Sequence, residues 1–299
     1  MRFMYQFPES SGALPELPDV GSVSELAVAA EAAGFGGFAF TEHPAPSEKW
    51  MSSGGHHTLD PFVALGHVAA VTTTMKLLTY LSVAPYRNPM LLAKAAATVD
   101  IVSGGRFILG LGTGYLKGEF RAIGVDFEER NALFDEALDV LPMHWSGEPF
   151  SYQGRHFEAR DTVARPVPPR AGIPIWIGGN SQLTRRRVAE RAAGWMPMTG
   201  PAELFRTTRT PALDEAEGLA EAIAALRGAA GDRGEEIDVM VAYTDRSILE
   251  PGADLASHVD ALGRLEAAGV TWVAIPGATT SRDHSLKFLE QFGATCIRR

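Results

Sequence analysis

Glu42 and His43 stand directly behind an apolar run, Phe35 to Phe40, in the order Phe40-Thr41-Glu42-His43-Pro44. A histidine just past a strand can donate a hydrogen bond to a ligand carbonyl, or take and give a proton near neutral pH. It can equally cap a loop carbonyl, and position alone weighs the two evenly. Glu42 can accept from a ligand hydroxyl or orient His43. A second group follows another apolar run, Phe107 to Leu111: Gly112, Thr113 and Gly114, then Glu119. Glycines past a strand end let the backbone approach a flat or phosphorylated ligand closely, although many strand-to-helix turns carry glycine for steric reasons alone. Glu119 reads as a charge placed at a helix N-terminus, where the dipole favours it. A third group, Gly178, Gly179, Asn180 and Ser181, precedes a helical stretch with Arg185, Arg186 and Arg187. Free N–H groups at a helix start bind anions, so a cofactor phosphate fits there. Arg185 and Arg186 can add charge-assisted bonds to it, whereas Arg187 reads as part of a solvated helix face.

Other chemistries fail on residue type. His56 and His57 are adjacent, so both cannot readily ligate one ion, and no carboxylate stands beside them at ligand spacing; no metal site is expected. Their glycine-rich loop reads instead as one that closes over substrate. The chain has no Walker glycine–lysine pattern and no G-x-S-x-G elbow. Its one cysteine, Cys296, permits no internal disulfide and suits a reducing cytoplasm. Glycine-lined turns without a nucleophile or metal point to a borrowed cofactor that carries the chemistry.

These groups need a frame that brings strand ends together. Eight short apolar runs, each with a helical stretch behind it, recur along the chain: 3–7, 35–40, 76–83, 106–111, 174–177, 194–198, 237–243 and 270–275. Ser22 or Ser24 caps the first helix, Gly34 ends it, and Asp60-Pro61 and Pro89 open the next two. Regular β-then-α alternation implies a parallel sheet, and eight units predict a closed (β/α)8 TIM barrel over an open doubly wound sheet. Ligands then sit at the C-terminal strand ends. Two stretches break the rhythm as rim insertions. Residues 147–170 read as a hairpin followed by a proline-rich arm, and 199–210 as a loop between the sixth strand and its helix. Each is either a binding loop or decoration. Residues 1–299 read as a single domain.

With 299 residues and 45% hydrophobic content, the chain can bury a large core. Its 27 Lys and Arg against 36 Asp and Glu give a net charge of −9, which disfavours sequence-independent nucleic-acid binding. The opening residues show no apolar h-region or cleavage site, so no secretory signal is expected, and no run is long enough to span a membrane.

The block PYRNPMLLAKAAATVDIVSGGRFILGLGTGYLKGEF, residues 85–120, resembles the bacterial luciferase-like monooxygenase superfamily. So do EAAGFGGFAFTEHP, RPVPPRAGIPIWIGGNS and RRVAERAAGWMP, in the same order. Within that superfamily the motifs are most similar to the branch of F420-dependent oxidoreductases. The resemblance implies a (β/α)8 barrel with a deazaflavin or flavin at the strand ends and a small organic substrate beside it. It places His43 and Glu42 near the cofactor ring, and Tyr80-Leu81 at a bulge behind it, where relatives often have a non-proline cis peptide. The Tyr at 80 departs from the usual small residue. It further sets Gly112, Thr113 and Gly114 beside the ring, and Gly178, Gly179 and Asn180 at the phosphate turn. Sugar-phosphate dehydrogenases of the family carry Glu directly after the glycine loop. Here that residue is Tyr115, which disfavours a sugar phosphate but leaves a proton or hydrogen-bond donor. The resemblance also implies a homodimer. Two other readings stay open: a monooxygenase fed reduced FMN by a separate reductase, and a barrel that binds cofactor without catalysis.

Overall fold

A strand in a closed parallel barrel is covered on both faces, so nearly every residue in it must be apolar. The computed structural model describes residues 1–11, 22–170, 172–200, 205, 206, 208, 210–213, 217–278 and 281–298. It holds eight barrel strands: β1 (Arg2–Gln6), β2 (Gly37–Phe40), β3 (Lys76–Thr79), β4 (Phe107–Gly112), β5 (Ile175–Gly178), β6 (Gly194–Met196), β7 (Asp238–Ala242) and β8 (Trp272–Pro276). Each pairs in parallel with the next, and β8 returns to β1 in the register Arg2↔Trp272 to Gln6↔Pro276. The ring is therefore closed. It is a (β/α)8 barrel, and the open-sheet alternative falls on the β8–β1 pairing.

Helices ring the strands: α1 (Val23–Ala33), α2 (Pro61–Val71), α3 (Pro89–Val102), α4 (Lys117–Ile123), α5 (Arg130–Trp145), α6 (Gln182–Arg191), α7 (Glu217–Ala230), α8 (Val259–Ala267) and α9 (Arg282–Phe292). Residues 214–216, just before α7, lie outside the described residues. Ser22 caps α1 by accepting from Glu25 N–H, Asp60 caps α2 through Phe62 and Val63, and Gly34 ends α1 with φ +98°. Those boundaries follow from residue type, since capping oxygens satisfy orphan N–H groups and only glycine enters the left-handed region cheaply.

Alternate residues of each strand fill the barrel interior. Met4, Leu78, Ile108, Trp176, Met240 and Trp272 make an inner plug, with the two indoles edge-to-face at 5.8 Å. Small neighbours make room for it: a Cβ on Gly194 would meet Trp176 at 2.3 Å, and one on Gly37 would meet Met4 at 2.6 Å. The opposite strand faces pack on the helices in a larger outer core. Because the plug fills the lower barrel, a ligand can enter only above it, at the C-terminal strand ends.

The 147–170 stretch forms the expected hairpin, with antiparallel strands Phe150–Gln153 and Glu158–Thr162. The Glu136 carboxylate on α5 accepts three N–H groups from its turn, at Arg155, His156 and Phe157. Its arm lies along α3, where Lys94 donates to the Arg165 carbonyl at 2.6 Å. This insertion thus decorates the helical shell. The 199–210 stretch lies at the mouth; of its residues, 201–204, 207 and 209 are outside the described set.

At the other end of the barrel, Glu31 at the end of α1 braces the loop entering β3. Its carboxylate accepts from the N–H groups of Thr73, Thr74 and Met75 and from both threonine hydroxyls. Burial opposes the charge, but these donors outweigh it and pull the carboxyl down to about 2. A carboxyl lowered in the folded state stabilises above its unfolded value near 4.5, and the gain is lost as pH falls through about 2. Glu31→Gln should therefore cost about 1–2 kcal/mol at pH 7. In urea melts the gap from wild type should narrow between pH 4.5 and 2; a gap independent of pH would refute this account.

Candidate active site

The strand β3 stops at Thr79 because the chain bulges outward at Tyr80 and Leu81 before Ser82–Val83 rejoins β4. Thr79 bridges the gap, its hydroxyl donating to the Gly110 carbonyl at 2.8 Å and accepting from Gly110 N–H at 2.9 Å. The Tyr80–Leu81 peptide is cis. Leu81 then folds across the top of the plug. A Cβ on Gly112 would lie 2.3 Å from Leu81 Cδ1, and one on Gly178 would lie 2.2 Å from its Cδ2. These glycines were expected to admit a ligand. The structure gives them a different reason: they admit Leu81, which becomes the floor of a cavity.

That cavity has a volume of about 570 Å³. It is lined by Glu42, His43, Tyr80, Leu81, Gly112, Thr113, Gly114, Tyr115, Gly178, Gly179 and Asn180, so the three sequence groups meet in one space. Thr199, Thr208 and Thr210 add a wall from the 199–210 stretch, and nothing from 147–170 reaches it among the described residues. The size is that of a small-molecule or cofactor site.

Of the two carboxylates, Glu42 takes a role other than those expected and Glu119 takes one in addition. Glu42 turns away from His43. It accepts from Ser82 Oγ at 3.0 Å and Val83 N–H at 2.7 Å, and it is ion-paired with Arg87. Burial pushes the Glu42 carboxyl up, opposed chiefly by the Arg87 charge. It thereby ties the bulge to the end of β2. Glu119 stands in the first turn of α4, as expected of a helix N-terminal charge, although the N-cap itself is Leu116. Its carboxylate, 1% exposed, also accepts from Tyr86 Oη at 2.9 Å and Ala45 N–H at 3.3 Å, and lies 3.3 Å from His43 Nδ1.

His43 sits among rings. Trp50, on the helical turn Glu48–Met51, lies tilted by 38° against it at 4.4 Å, His56 meets it edge-on at 5.0 Å, and Tyr115 at 6.1 Å. His56 and His57 form a two-residue strand paired with Ser10–Ser11, and His56 Nε2 lies 2.9 Å from Glu9 Oε2. The histidine loop is therefore pinned against the N-terminal segment, and no cluster of three metal ligands exists among the described residues. Burial, then the charges of Glu119 and Glu9, push Tyr115 up to about 12, so its hydroxyl stays a donor at neutral pH.

At the far end, α6 points its N-terminus into the cavity. Its cap Ser181 accepts from Thr184 N–H at 3.1 Å. The Asn180 side chain is fully engaged, donating to the Met198 and Pro211 carbonyls and accepting from Met198 N–H at 2.8 Å. It braces the β6 loop and leaves only backbone for a ligand. Arg187 was expected on a solvated face, yet it is 4% exposed and lines the cavity. Asp135 holds it through two bonds, at 2.7 and 2.8 Å, and Phe134 lies under the guanidinium. Sequence spacing could not foresee this, because the partners sit on α5, some fifty residues earlier. Arg130 on α5, another lining residue with no motif around it, brings a charge that donates to the Phe127 carbonyl at 2.9 Å, lies over the Phe127 ring and stands 3.9 Å from Glu128 Oε2.

Residues 1–245 match the family model for luciferase-like monooxygenases, and the chain belongs to that family. It is 30% identical over 244 residues to the uncharacterised protein y4vJ of Sinorhizobium fredii, covering 79% of this chain and 63% of that protein. It is 29% identical over 227 residues to an F420-dependent glucose-6-phosphate dehydrogenase of Microbacterium testaceum, covering 74% and 63% of the two. The chain thus spans somewhat under two thirds of these curated relatives. Among solved structures it superposes on an F420-dependent secondary alcohol dehydrogenase in complex with an F420-acetone adduct, with a TM-score of 0.73, 15% identity and coverage of 98% and 97%. Monooxygenase RslO1 from Streptomyces bottropensis gives 0.71, 19%, 99% and 98%. These two share the fold.

The Leu81 floor makes a checkable demand. Gly112→Ala should destabilise the protein by about 1–3 kcal/mol through overpacking. Adding Leu81→Ala should return at least about 0.5 kcal/mol relative to the sum of the two single changes. Strict additivity in denaturant melts would show that the glycine serves something other than Leu81.

Proposed function

We propose that residues 1–299 form one luciferase-like domain acting as an F420-dependent oxidoreductase, with a small organic substrate. The observation that carries the reading is the cavity: an aromatic and histidine-lined half over the Leu81 floor, and an anion-accepting half at the start of α6. A long ligand with a planar ring and a phosphate-bearing tail fits those two halves. Gly179, at φ +116°, supports the fit, since a Cβ there would crowd Thr184 at 3.3 Å where the tail turns. When bound, the deazaflavin supplies a two-electron hydride transfer.

The chain's own groups do the rest. Tyr80 and Leu81 back the ring and fix the face left open to substrate. Asn180 and Ser181 offer backbone N–H groups to the phosphate, with Arg130 as the nearby cation, while the Gly179 N–H is spent on the Met196 carbonyl at 3.1 Å. His43 Nδ1 points to Glu119, and Nε2 has no protein partner among the described residues, so Nε2 is the atom that exchanges a proton with a substrate oxygen. Tyr115 donates a second hydrogen bond. Trp50 and His56 crowd His43 and help to exclude water. No helix among the described residues is long and apolar enough to cross a membrane, and the single cysteine supports a cytoplasmic setting. Val28, Val63 and Leu91 stand exposed on α1, α2 and α3, which supports a homodimer through that face.

A flavin monooxygenase using reduced FMN from a separate reductase is the second reading. It is supported by near-equal likeness to the monooxygenase and dehydrogenase structures, 0.71 against 0.73.

Side-by-side fluorescence titration of the apoprotein should give F420 at least about tenfold tighter binding than FMN, a difference of about 1.4 kcal/mol. Equal or tighter FMN binding would transfer the proposal to the monooxygenase. With F420 and a panel of alcohols, aldehydes and ketones, His43→Ala should lower turnover by about 10²–10⁴-fold. Tyr115→Phe should lower it by about tenfold, as for one lost hydrogen bond. Turnover unchanged in His43→Ala would remove the catalytic role and favour a cofactor-binding barrel.

A further inference from the structure

A carboxylate taken out of water needs donors or a counter-charge, because an unpaired buried charge is expensive. Glu119 is almost wholly enclosed, and among the described residues no lysine or arginine pairs with it. Its donors are Tyr86 Oη, Ala45 N–H and His43 Nδ1. Burial, then the charge of Glu119 and its hydrogen bond, push the Tyr86 hydroxyl well above the usual range, so Tyr86 remains a donor. Ala45 N–H cannot change its role. Both donors use Glu119 as an acceptor, and with Glu119 ionised the remaining contact at 3.3 Å requires a proton on His43 Nδ1.

We propose that Glu119 is the positioning residue for His43: it holds the imidazole as the Nδ1–H tautomer and leaves Nε2 facing the cavity as the proton-exchanging atom. This rests on the reading of His43 given above. A carboxylate behind one imidazole nitrogen sets both tautomer and ring orientation. Here the carboxylate comes from α4, four residues beyond Tyr115. The other groups facing His43 are consistent with this choice. His56 is held by Glu9, Tyr115 is a neutral donor, Glu42 belongs to Arg87, and Trp50 has no charge. None of them competes for Nδ1 among the described residues.

The test needs neither cofactor nor substrate. Nitrogen-15 NMR on apoprotein labelled at its 8 histidines, with His43 identified by its loss in His43→Gln, reads the tautomer directly. Wild type at alkaline pH, where histidine is neutral, should show a protonated Nδ1 and a bare Nε2. In Glu119→Gln, Ala45 N–H should retain the amide oxygen and turn the amide NH2 towards His43. The bare nitrogen should then become Nδ1, and Nε2 should move into the protonated range. A wild-type spectrum with Nε2 protonated overturns the proposal without any variant. So does an unchanged His43 signal in Glu119→Gln that melts cooperatively. Should that variant fail to fold, Glu119→Asp, which keeps the acceptor, should retain the wild-type tautomer, and a flipped tautomer there would count against the assignment. A catalytically dispensable His43 would defeat the functional reading yet leave this tautomer intact, so the two failures are distinguishable.

Discussion

The mouth of this barrel is organised by two carboxylates that have left water. Glu42 and Glu119 are 4% and 1% exposed, and each gathers donors from segments distant in sequence. Glu42 joins the end of β2 to the bulge after β3 and to Arg87. Glu119 joins α4 to the loop after β2 and to Tyr86. A satisfied buried charge is a rigid joint, because breaking any one bond strands the rest in low dielectric. Loops that would otherwise drift are thus held to the strand ends.

That rigidity explains how the cavity keeps its shape. The bulge sends Leu81 across the plug, and Gly112 and Gly178 leave space for it. The floor is apolar and fixed, while the walls are polar at one end and aromatic at the other. A planar ring on such a floor presents one face to His43 and Tyr115. The division of labour is physical: glycines and Leu81 define where a ring can lie, and the buried carboxylates define which side chains it meets.

The barrel was legible from the sequence because apolar runs, capping residues and glycine stops recur with local regularity. Ser22, Asp60 and Gly34 act within a turn or two of themselves, so residue type is enough. The cavity-lining residues were legible as three motifs at strand ends, and the barrel brings them together. Their individual duties were not. Glu42 and His43 are neighbours in the chain but bond in opposite directions. Glu119 looked like a helix-end charge because its partners, Tyr86 and His43, lie 33 and 76 residues away. Arg187 looked solvated because the groups that bury it belong to α5. Trp50, Arg130 and Glu9 carried no motif at all, since only tertiary packing sets Arg130 in the cavity wall, Trp50 against His43 and Glu9 against His56.

The central claim is that a planar redox coenzyme lies on the Tyr80–Leu81 floor with its tail at the start of α6. A crystal structure of the protein soaked with F420 tests it most directly. The account predicts ring density stacked over Leu81, facing the substrate space before His43, and phosphate density against the N–H groups of Asn180 and Ser181. Ring density elsewhere on the protein, or a ring in the cavity with its tail leading away from α6, would contradict it.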